Sequence, residues 1–294
     1  ITDEEQEWAK KQNYPCIVGS LIHAMVHTRP DIAFAVSLLS RAMSKPELYH
    51  YKAARYLLLY LRRTSHLGLE YSQVQMEIIF ASGIFIIAAV DSSFADCPTT
   101  ARSTGGFIIW FCGAPLEWEC KLQPLVTMST MEAEYVAASR CVNAIKANNK
   151  YLAFVRLHVG KPALIHEDNE ACIAVADNPN PIHKSRTRHI ALRYHNVRDA
   201  VWDGTVKLVH VWTKHQVADI FTKSLGQEDF ERLRGPLMGS VPFEVMCAET
   251  PKVSPIQVSS FFRTGGIPTK SEQTFLSVFR HNCGLSSDSG ACGC

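Results

Sequence analysis

The chain has 294 residues, 47% of them hydrophobic and 20% charged, which is typical of a globular protein with a sizeable core. A formal net charge of +2 is too small to indicate a nucleic-acid partner by itself. The ten cysteines are scattered, which argues against a disulfide-rich secreted domain and predicts reduced thiols in an intracellular protein. The apolar run 78–90 is shorter than the roughly 18–20 residues of a membrane-spanning helix, so we expect no membrane association.

Residues 1–72 are predicted to form a small helical segment. Two patterns, Thr28-x-x-Asp31 and Ser44-x-x-Glu47, match capping boxes and therefore indicate helix starts. The run ELYHYKAARYLLLYLRR then carries apolar residues at helical spacing and ends in basic residues, as helices commonly do.

A different pattern begins near residue 84 and predicts an α/β domain over 84–235. Strands are predicted near 84–91, 105–111, 115–120, 163–168 and 205–211, and helices at 130–147, 169–177 and 214–225. Three consecutive strands followed by alternating helices and strands make a mixed sheet with helices on its faces. The segment 241–294 is rich in Ser, Gly, Pro and Thr, and we predict a low-complexity, disordered tail there.

Four acidic residues stand out because each ends or lies within a predicted element. Asp91 closes the apolar first strand, Glu134 lies on the first helix of the α/β domain, Asp168 ends the fourth strand, and Asp219 lies on the last helix. An acid at the end of an apolar strand is poorly solvated and needs a cation or another partner. Four such acids that converge would hold two divalent metals, an arrangement that hydrolyses phosphodiesters.

Helix geometry separates Glu134 from its neighbour Glu132. The pattern Ser129-x-x-Glu132 matches a capping box and gives Glu132 a structural role at the start of the helix. Residues two apart are about 200° apart around a helix, so the two acids do not face the same site. Glu134 shares its face with the small residues Ala137 and Ala138, which favours it as the candidate ligand. The alternative is a solvated surface glutamate.

The other candidates also have structural alternatives. Asp168 stands where a strand gives way to a helix, so it would serve equally as a helix N-cap. Asp219 on a terminal helix would commonly be solvated. His215 lies one helical turn before Asp219 and titrates near neutrality, which makes it a candidate for proton transfer, with a surface histidine as the alternative.

A basic stretch between residues 182 and 198 is a candidate nucleic-acid-binding surface. It contains no acidic residue and suits phosphate contacts with counterion release. The alternative is a solvated basic face. The candidate phosphate-binding residues are Lys184, Arg186, Arg188, Arg193 and Arg198.

Ordered motifs covering roughly residues 14–235 resemble a known family. YPCIVGSLIHAMVHTRPDIAFAV and the residues after it resemble the C-terminal end of the reverse transcriptase in copia-type LTR retrotransposon Pol polyproteins. DSSFADCPTTARSTGGFIIW, STMEAEYVAAS, EDNEACIAV, KSRTRHIALRYHNVRD and QVADIFTKSLG resemble, in that order, the ribonuclease H domain that follows it. The resemblance implies an RNase H-like fold with a mixed five-stranded sheet flanked by helices, preceded by a helical reverse-transcriptase remnant.

The resemblance also implies an activity. It implies a metal-dependent endonuclease that hydrolyses the RNA strand of RNA–DNA hybrids, beside the reverse transcriptase of the same polyprotein, in a cytoplasmic virus-like particle or the nucleus. The family's catalytic, metal-binding acids fall on Asp91, Glu134, Asp168 and Asp219. Two Mg²⁺ ions are implied, with Mn²⁺ as the alternative ion; Asp91 would bridge both, Glu134 and Asp168 would hold one, and Asp219 would complete the other.

Two other functions remain open at this level. A catalytically silent, transposon-derived remnant would fold and bind nucleic acid without cutting it. An integrase-like transferase would share the fold, but its acids have a different placement. The departures from the family pattern, Ser93 and Phe94, fall at positions not expected to bind metal.

Overall fold

The computed structural model describes residues 13–72, 76, 83–157, 162–178 and 191–241, and within these the side chains of 191, 192 and 194 are not described. The predicted disordered tail therefore lies outside the described residues from 242 onward. The part of the basic stretch that precedes residue 191 also lies outside the described residues.

Where the structure describes the N-terminal segment, from residue 13, it contains three helices and a short 3-10 turn. They are α1 (Tyr14–His27), the 3-10 turn Pro30–Ile32, α2 (Ala33–Ser40) and α3 (Leu48–Arg63). Their apolar faces meet in a small core that includes Tyr14, Val18 and Val36. The predicted helical character of this segment is therefore confirmed for residues 13–72.

Both predicted capping boxes in this segment are wrong. Thr28 ends α1 instead of starting a helix, and the Asp31 carboxylate binds the guanidinium of Arg29 at 2.8 Å. The box at the start of α3 is formed by Glu47 and His50, each accepting from the other's backbone N–H. Buried ion pairing competes with capping for Asp31, because a buried carboxylate needs a charged or hydrogen-bonding partner.

Five strands form one mixed sheet with the order β3-β2-β1-β4-β5. The strands are β1 (Ile86–Ser93), β2 (Thr104–Phe111), β3 (Ala114–Leu122), β4 (Ala163–Glu167) and β5 (Val206–His210). The β1–β2 and β2–β3 pairs are antiparallel, whereas β1–β4 and β4–β5 are parallel. The predicted mixed sheet is confirmed, and β1 lies at its centre.

Helices cover both faces of this sheet. They are α4 (Thr130–Phe154), α5 (Glu170–Asp177), α6 (Ala191–Trp202), two 3-10 turns (Thr213–His215 and Val217–Phe221) and α7 (Gln227–Met238). The predicted helix 214–225 is thus wrong in detail, because Gln216 adopts an extended conformation that separates the two short turns. Helices α6 and α7 were not expected from the sequence pattern.

Alternation along β1 divides the core into two layers. Ile86, Ala88 and Val90 face a layer that includes residues of α4, such as Tyr135. Ala89 and Ile87 face the opposite layer, which includes the 3-10 turn Val217–Phe221, α7 and part of α2. Because successive strand residues point to opposite faces, a central strand buried on both faces is apolar almost throughout. This explains the long apolar run before Asp91.

The N-terminal helices pack directly against the sheet and α7. Trp118 Nε1 on β3 donates to the carbonyl of Met25 at 2.9 Å, and the Glu70 N–H donates to the carbonyl of Met238 at 2.8 Å. Gly239 ends α7 at φ 82°, where an added Cβ would lie 2.4 Å from the Glu70 carbonyl oxygen. The division into domains 1–72 and 84–235 stays a prediction. Among the described residues, no helix is long and apolar enough to cross a membrane.

Candidate active site

Parallel pairing of β1 and β4 brings two of the predicted acids to one edge of the sheet. Asp91 lies near the carboxyl end of β1 and is only 1% exposed. Asp168 directly follows β4 and is half-buried. The helix-cap alternative for Asp168 is wrong, because the N-cap of α5 is Asn169, whose side chain accepts from the Cys172 N–H at 3.1 Å. The Asp168 carboxylate is therefore not needed for capping.

Asp219 reaches the same edge from the second 3-10 turn, which packs against β1 and β2. This close approach depends on Gly106, where an added Cβ would lie 2.3 Å from Cβ of Phe221. Gln216 joins the turn to the sheet, because its Nε2 donates to the carbonyl of Val90 at 2.9 Å. Asp219 is buried, so the alternative of a solvated surface residue is wrong.

The predicted acids meet in two overlapping groups. Asp91, Asp168 and Asp219 each offer a carboxylate oxygen, and these oxygens lie within 4.8 Å of one another. Glu134, Glu167 and Asp168 form a second group by the same measure. Asp168 belongs to both groups. All four predicted acids are thus brought together, although their roles as metal ligands stay predictions.

Glu134 and Glu132 have the separate environments that helix geometry predicts. Ser129 Oγ accepts from the Glu132 N–H at 3.2 Å, and the Glu132 carboxylate accepts from the Met128 N–H at 2.8 Å. Glu134 is 6% exposed, and its Oε2 has no hydrogen-bond partner among the described residues. The alternative of a solvated Glu134 is therefore wrong.

Glu167 is a site residue that the sequence analysis missed. It is fully buried at the end of β4, and its Oε2 also has no hydrogen-bond partner within the described part of the chain. A signal was available in the sequence. Burial alternates along β4, so Glu167 is in phase with buried Ala163 and Ile165 and points into the same layer.

Lys223 forms ion pairs with two acids of the first group. Lys223 Nζ is 2.7 Å from Asp219 Oδ1 and 3.3 Å from Asp91 Oδ1. The Thr222 hydroxyl donates to the other carboxylate oxygen of Asp91. Thr222 thus fixes the orientation of the Asp91 carboxylate, while Lys223 supplies a positive charge beside two acids that would otherwise repel each other.

Burial and mutual repulsion raise the pKa values of these acids. Burial raises the pKa of Asp219 to about 7, with a further contribution from the charge of Asp91 and an opposing one from Lys223. Burial also raises the pKa of Asp91, against the charge of Lys223. The pKa of Glu134 lies well above its ordinary value, through burial first and then the charges of Glu167 and Asp91. The pKa of Glu167 is likewise well above its ordinary value because of burial.

The remaining predicted residues have mixed surroundings. His215 is 3% exposed, so the surface alternative is wrong, and its role in proton transfer stays a prediction. Arg198 is also buried, with its guanidinium 4.7 Å from the Trp202 ring and 3.1 Å from His195 Nδ1. Arg193 is half-buried. Lys184, Arg186 and Arg188 lie outside the described residues, so the nucleic-acid-binding role of this basic set stays a prediction.

The strand order and strand directions define an RNase H-like fold. An antiparallel β3-β2-β1 meander continues into parallel β4 and β5, and acids gather where β1 and β4 end. Ligands in such sheets bind at the carboxyl ends of parallel strands. The predicted fold class is confirmed.

No family model matches the chain. The chain is, however, similar in sequence to parts of known proteins. The chain is 33% identical over 230 residues to the retrovirus-related Pol polyprotein from transposon TNT 1-94 of Nicotiana tabacum, covering 78% of this chain and 16% of that protein. It is 32% identical over 218 residues to the Pol polyprotein from transposon RE1 of Arabidopsis thaliana, covering 74% and 14%.

The chain's homologues are thus Pol polyproteins of copia-type retrotransposons, as the motifs predicted. It spans 16% or less of the length of the polyproteins reported above.

Solved structures of ribonucleases H are also similar. LC11-RNase H1 in complex with an RNA/DNA hybrid matches with a TM-score of 0.36 and 13% identity, over 47% of this chain and 93% of that one. The foamy viral protease-reverse transcriptase with an RNA/DNA hybrid matches with a TM-score of 0.36 and 16% identity, over 51% of this chain and 20% of that one. At TM-scores this low the likeness supports no conclusion, and the fold assignment rests on the chain's own strand order and strand directions.

Proposed function

We propose that this chain is a divalent-metal-dependent endonuclease that hydrolyses the RNA strand of RNA–DNA hybrids within a copia-type retrotransposon polyprotein. The observation that supports this proposal most is the convergence of Asp91, Asp168 and Asp219, with carboxylate oxygens within 4.8 Å of one another. Carboxylates that come so close in a buried site repel one another, and Lys223 supplies only one positive charge against these three acids, so a further cation would compensate them. Homology to Pol polyproteins supports the nuclease over other metal-dependent activities.

The residues present fit a pair of hard divalent cations. Every donor in the two groups is a carboxylate oxygen, the ligand type that Mg²⁺ and Mn²⁺ prefer. The unpartnered Oε2 of buried Glu134 is an acceptor that a cation would satisfy. Lys223 already holds a positive charge against Asp91 and Asp219. In this proposal Asp91, Asp168 and Asp219 hold one ion, and Glu134 and Asp168 hold the other. Asp168, which is common to both groups, thus takes the shared position that the resemblance assigns to Asp91.

The protein groups have separate tasks in the proposed reaction. When bound, the two ions would activate the attacking water and stabilise the leaving 3′ oxygen. Thr222 orients the Asp91 carboxylate before substrate arrives. Gln216 fixes the turn that carries Asp219 to the end of β1. Buried His215, close in sequence to Asp219, is proposed to assist proton transfer or product release.

The partners follow from the same proposal. The substrate is an RNA–DNA hybrid, and the basic set Lys184, Arg186, Arg188, Arg193 and Arg198 is proposed to contact its phosphates. Residues 1–72 are proposed to be the end of the reverse transcriptase, so that the nuclease works beside the polymerase portion of the polyprotein. Direct packing of α1 and α3 against the sheet domain supports a fixed arrangement of the two parts.

The test is cleavage of a labelled RNA–DNA hybrid by the purified chain. We expect cutting of the RNA strand alone in Mg²⁺, with no cutting in EDTA and none of duplex DNA. Asp91→Asn removes a charge that the bound ions need, and an interaction of several kcal/mol corresponds to about a 10³-fold loss of rate. Hybrid binding by this variant should stay intact.

The matched control is Asp177→Asn, the same change at an exposed position at the end of α5. This control should cleave like the unmodified chain. Unchanged cleavage by Asp91→Asn would contradict the proposal. Binding of the hybrid without cleavage by the unmodified chain would instead favour the catalytically silent remnant.

A further inference from the structure

One buried carboxylate lies beside the four proposed ligands without an assigned role. Glu167 offers a carboxylate oxygen within 4.8 Å of the corresponding oxygens of Glu134 and Asp168. Its Oε1 accepts from the Asn169 N–H at 3.1 Å, and the Cys172 thiol lies beside the same carboxylate, yet Oε2 is buried and has no hydrogen-bond partner among the described residues. An orphaned buried carboxylate oxygen is costly unless a proton or a cation occupies it.

The surroundings of Glu134 and Glu167 favour a cation. The charged neighbours that most affect Glu134 are acidic: Glu167, Asp91 and Asp168. Lys223 is bound to Asp219 and Asp91 in the other group. Two orphaned oxygens, one on Glu134 and one on Glu167, thus belong to the same acidic group. A divalent ion takes several oxygen ligands, so both carboxylates can serve one ion together with Asp168.

We propose that Glu167 is a ligand of the second cation, a fifth carboxylate of the metal centre. This inference rests on the proposed metal-dependent function. It differs from a role in the β4–α5 turn alone, in which Glu167 would accept only from the Asn169 N–H and the neighbouring Cys172 thiol. The two roles use different oxygens of the same side chain, so they are separable by substitution.

The substitution that separates them is Glu167→Gln. Its amide oxygen still accepts from the Asn169 N–H, whereas the negative charge at the metal group is lost. The matched control is Glu170→Gln, the same change three residues later at an exposed position in the first turn of α5. Asp91→Asn reports on the other group of acids.

The experiment measures Mn²⁺ binding to the full chain by isothermal titration and by the electron paramagnetic resonance of free Mn²⁺. Thermal unfolding in EDTA is recorded in parallel. Loss of a partner outside the coordination sphere weakens metal binding about 10–100-fold, so loss of a ligand should weaken one class of sites by about tenfold or more. We expect this for Glu167→Gln, with a melting temperature in EDTA that is unchanged or higher. Glu170→Gln should match the unmodified chain.

Two results would overturn the inference alone. One is Mn²⁺ binding by Glu167→Gln as tight as that of the unmodified chain while Asp91→Asn is weakened. The other is a lower melting temperature in EDTA with Mn²⁺ affinity unchanged, which identifies a purely structural side chain. A folded, unmodified chain that binds no Mn²⁺ would overturn both this inference and the proposed function.

Discussion

The raised pKa of Asp219 makes the stability of the metal-free protein depend on pH. The folded-state pKa is about 7, whereas an unfolded aspartate titrates near about 3.9. Between these values the folded protein keeps a proton that the unfolded chain has lost, so this group's contribution to the free energy of unfolding falls as pH rises. Near pH 5.5 the fall is about 1.4 kcal/mol per pH unit, and over the window it totals about 4 kcal/mol.

The perturbation is Asp219→Asn, which removes this titration. His166 contributes the opposite slope, because burial lowers its pKa to about 4 and its folded form is neutral where the unfolded histidine is charged. The informative quantity is therefore the difference between variant and unmodified chain. The compared quantity is the slope of the free energy of unfolding against pH. Between pH 4.5 and 6.5 we expect this slope to be more positive in the variant than in the unmodified chain, by about 1.4 kcal/mol per pH unit.

Urea unfolding in EDTA at several pH values, followed by circular dichroism, gives both slopes. Asp177→Asn, the same change at an exposed position, serves as the control. Added Mg²⁺ should flatten the fall, since metal ligands must be deprotonated and metal affinity therefore rises with pH. Equal slopes for Asp219→Asn and the unmodified chain in EDTA would refute the reasoning.

Two further changes test the surroundings of the site. Lys223→Met should destabilise the metal-free protein by about 1 kcal/mol, a value that allows for the lysine's 38% exposure, and should enlarge the rise in melting temperature on adding Mg²⁺. An unchanged melting temperature in both conditions would contradict this role. Gly106→Ala should cost about 1–3 kcal/mol in urea unfolding, because the new methyl group meets Phe221. Gly19→Ala on α1 is the control, because no atom lies within 4 Å of a Cβ added at this exposed position. It should stabilise the protein by up to about 1 kcal/mol. A loss of stability in Gly19→Ala equal to that in Gly106→Ala would argue against the clash with Phe221.

Much of the sheet could be predicted from the sequence because its strands have clear hydrophobic patterns. The apolar run ending at Asp91 marks a central strand, and helix geometry distinguishes Glu134 from Glu132 without any coordinates. Ordered family motifs then connected acids that are far apart in the chain. Their convergence is a tertiary property, because Asp219 reaches the site only through the close approach of its turn to Gly106.

The missed features have local physical causes. An acid at the end of an apolar strand draws attention to Asp168, whereas the alternation of buried residues along β4 marks its neighbour Glu167 as buried. The pairing of Lys223 with Asp219, four residues earlier, is local, but their shared partner Asp91 lies 132 residues from the lysine and is brought to it only by the fold. Helix α6 could not be predicted because its sequence has little amphipathic pattern. Its basic residues instead indicated a binding surface.

Gln216 ties the stability of the site to that of the sheet. Its amide nitrogen donates to the carbonyls of Val90 and His166, at the ends of the two parallel strands, at 2.9 and 3.5 Å. Local unfolding of the 3-10 turn would leave these carbonyls without that donor, so the turn is expected to open together with the strand ends rather than alone. Hydrogen exchange of the Asp219 backbone amide is then expected to follow that of β4. The acids are thereby preorganised for their cations, and little of the metals' binding free energy is needed to order them.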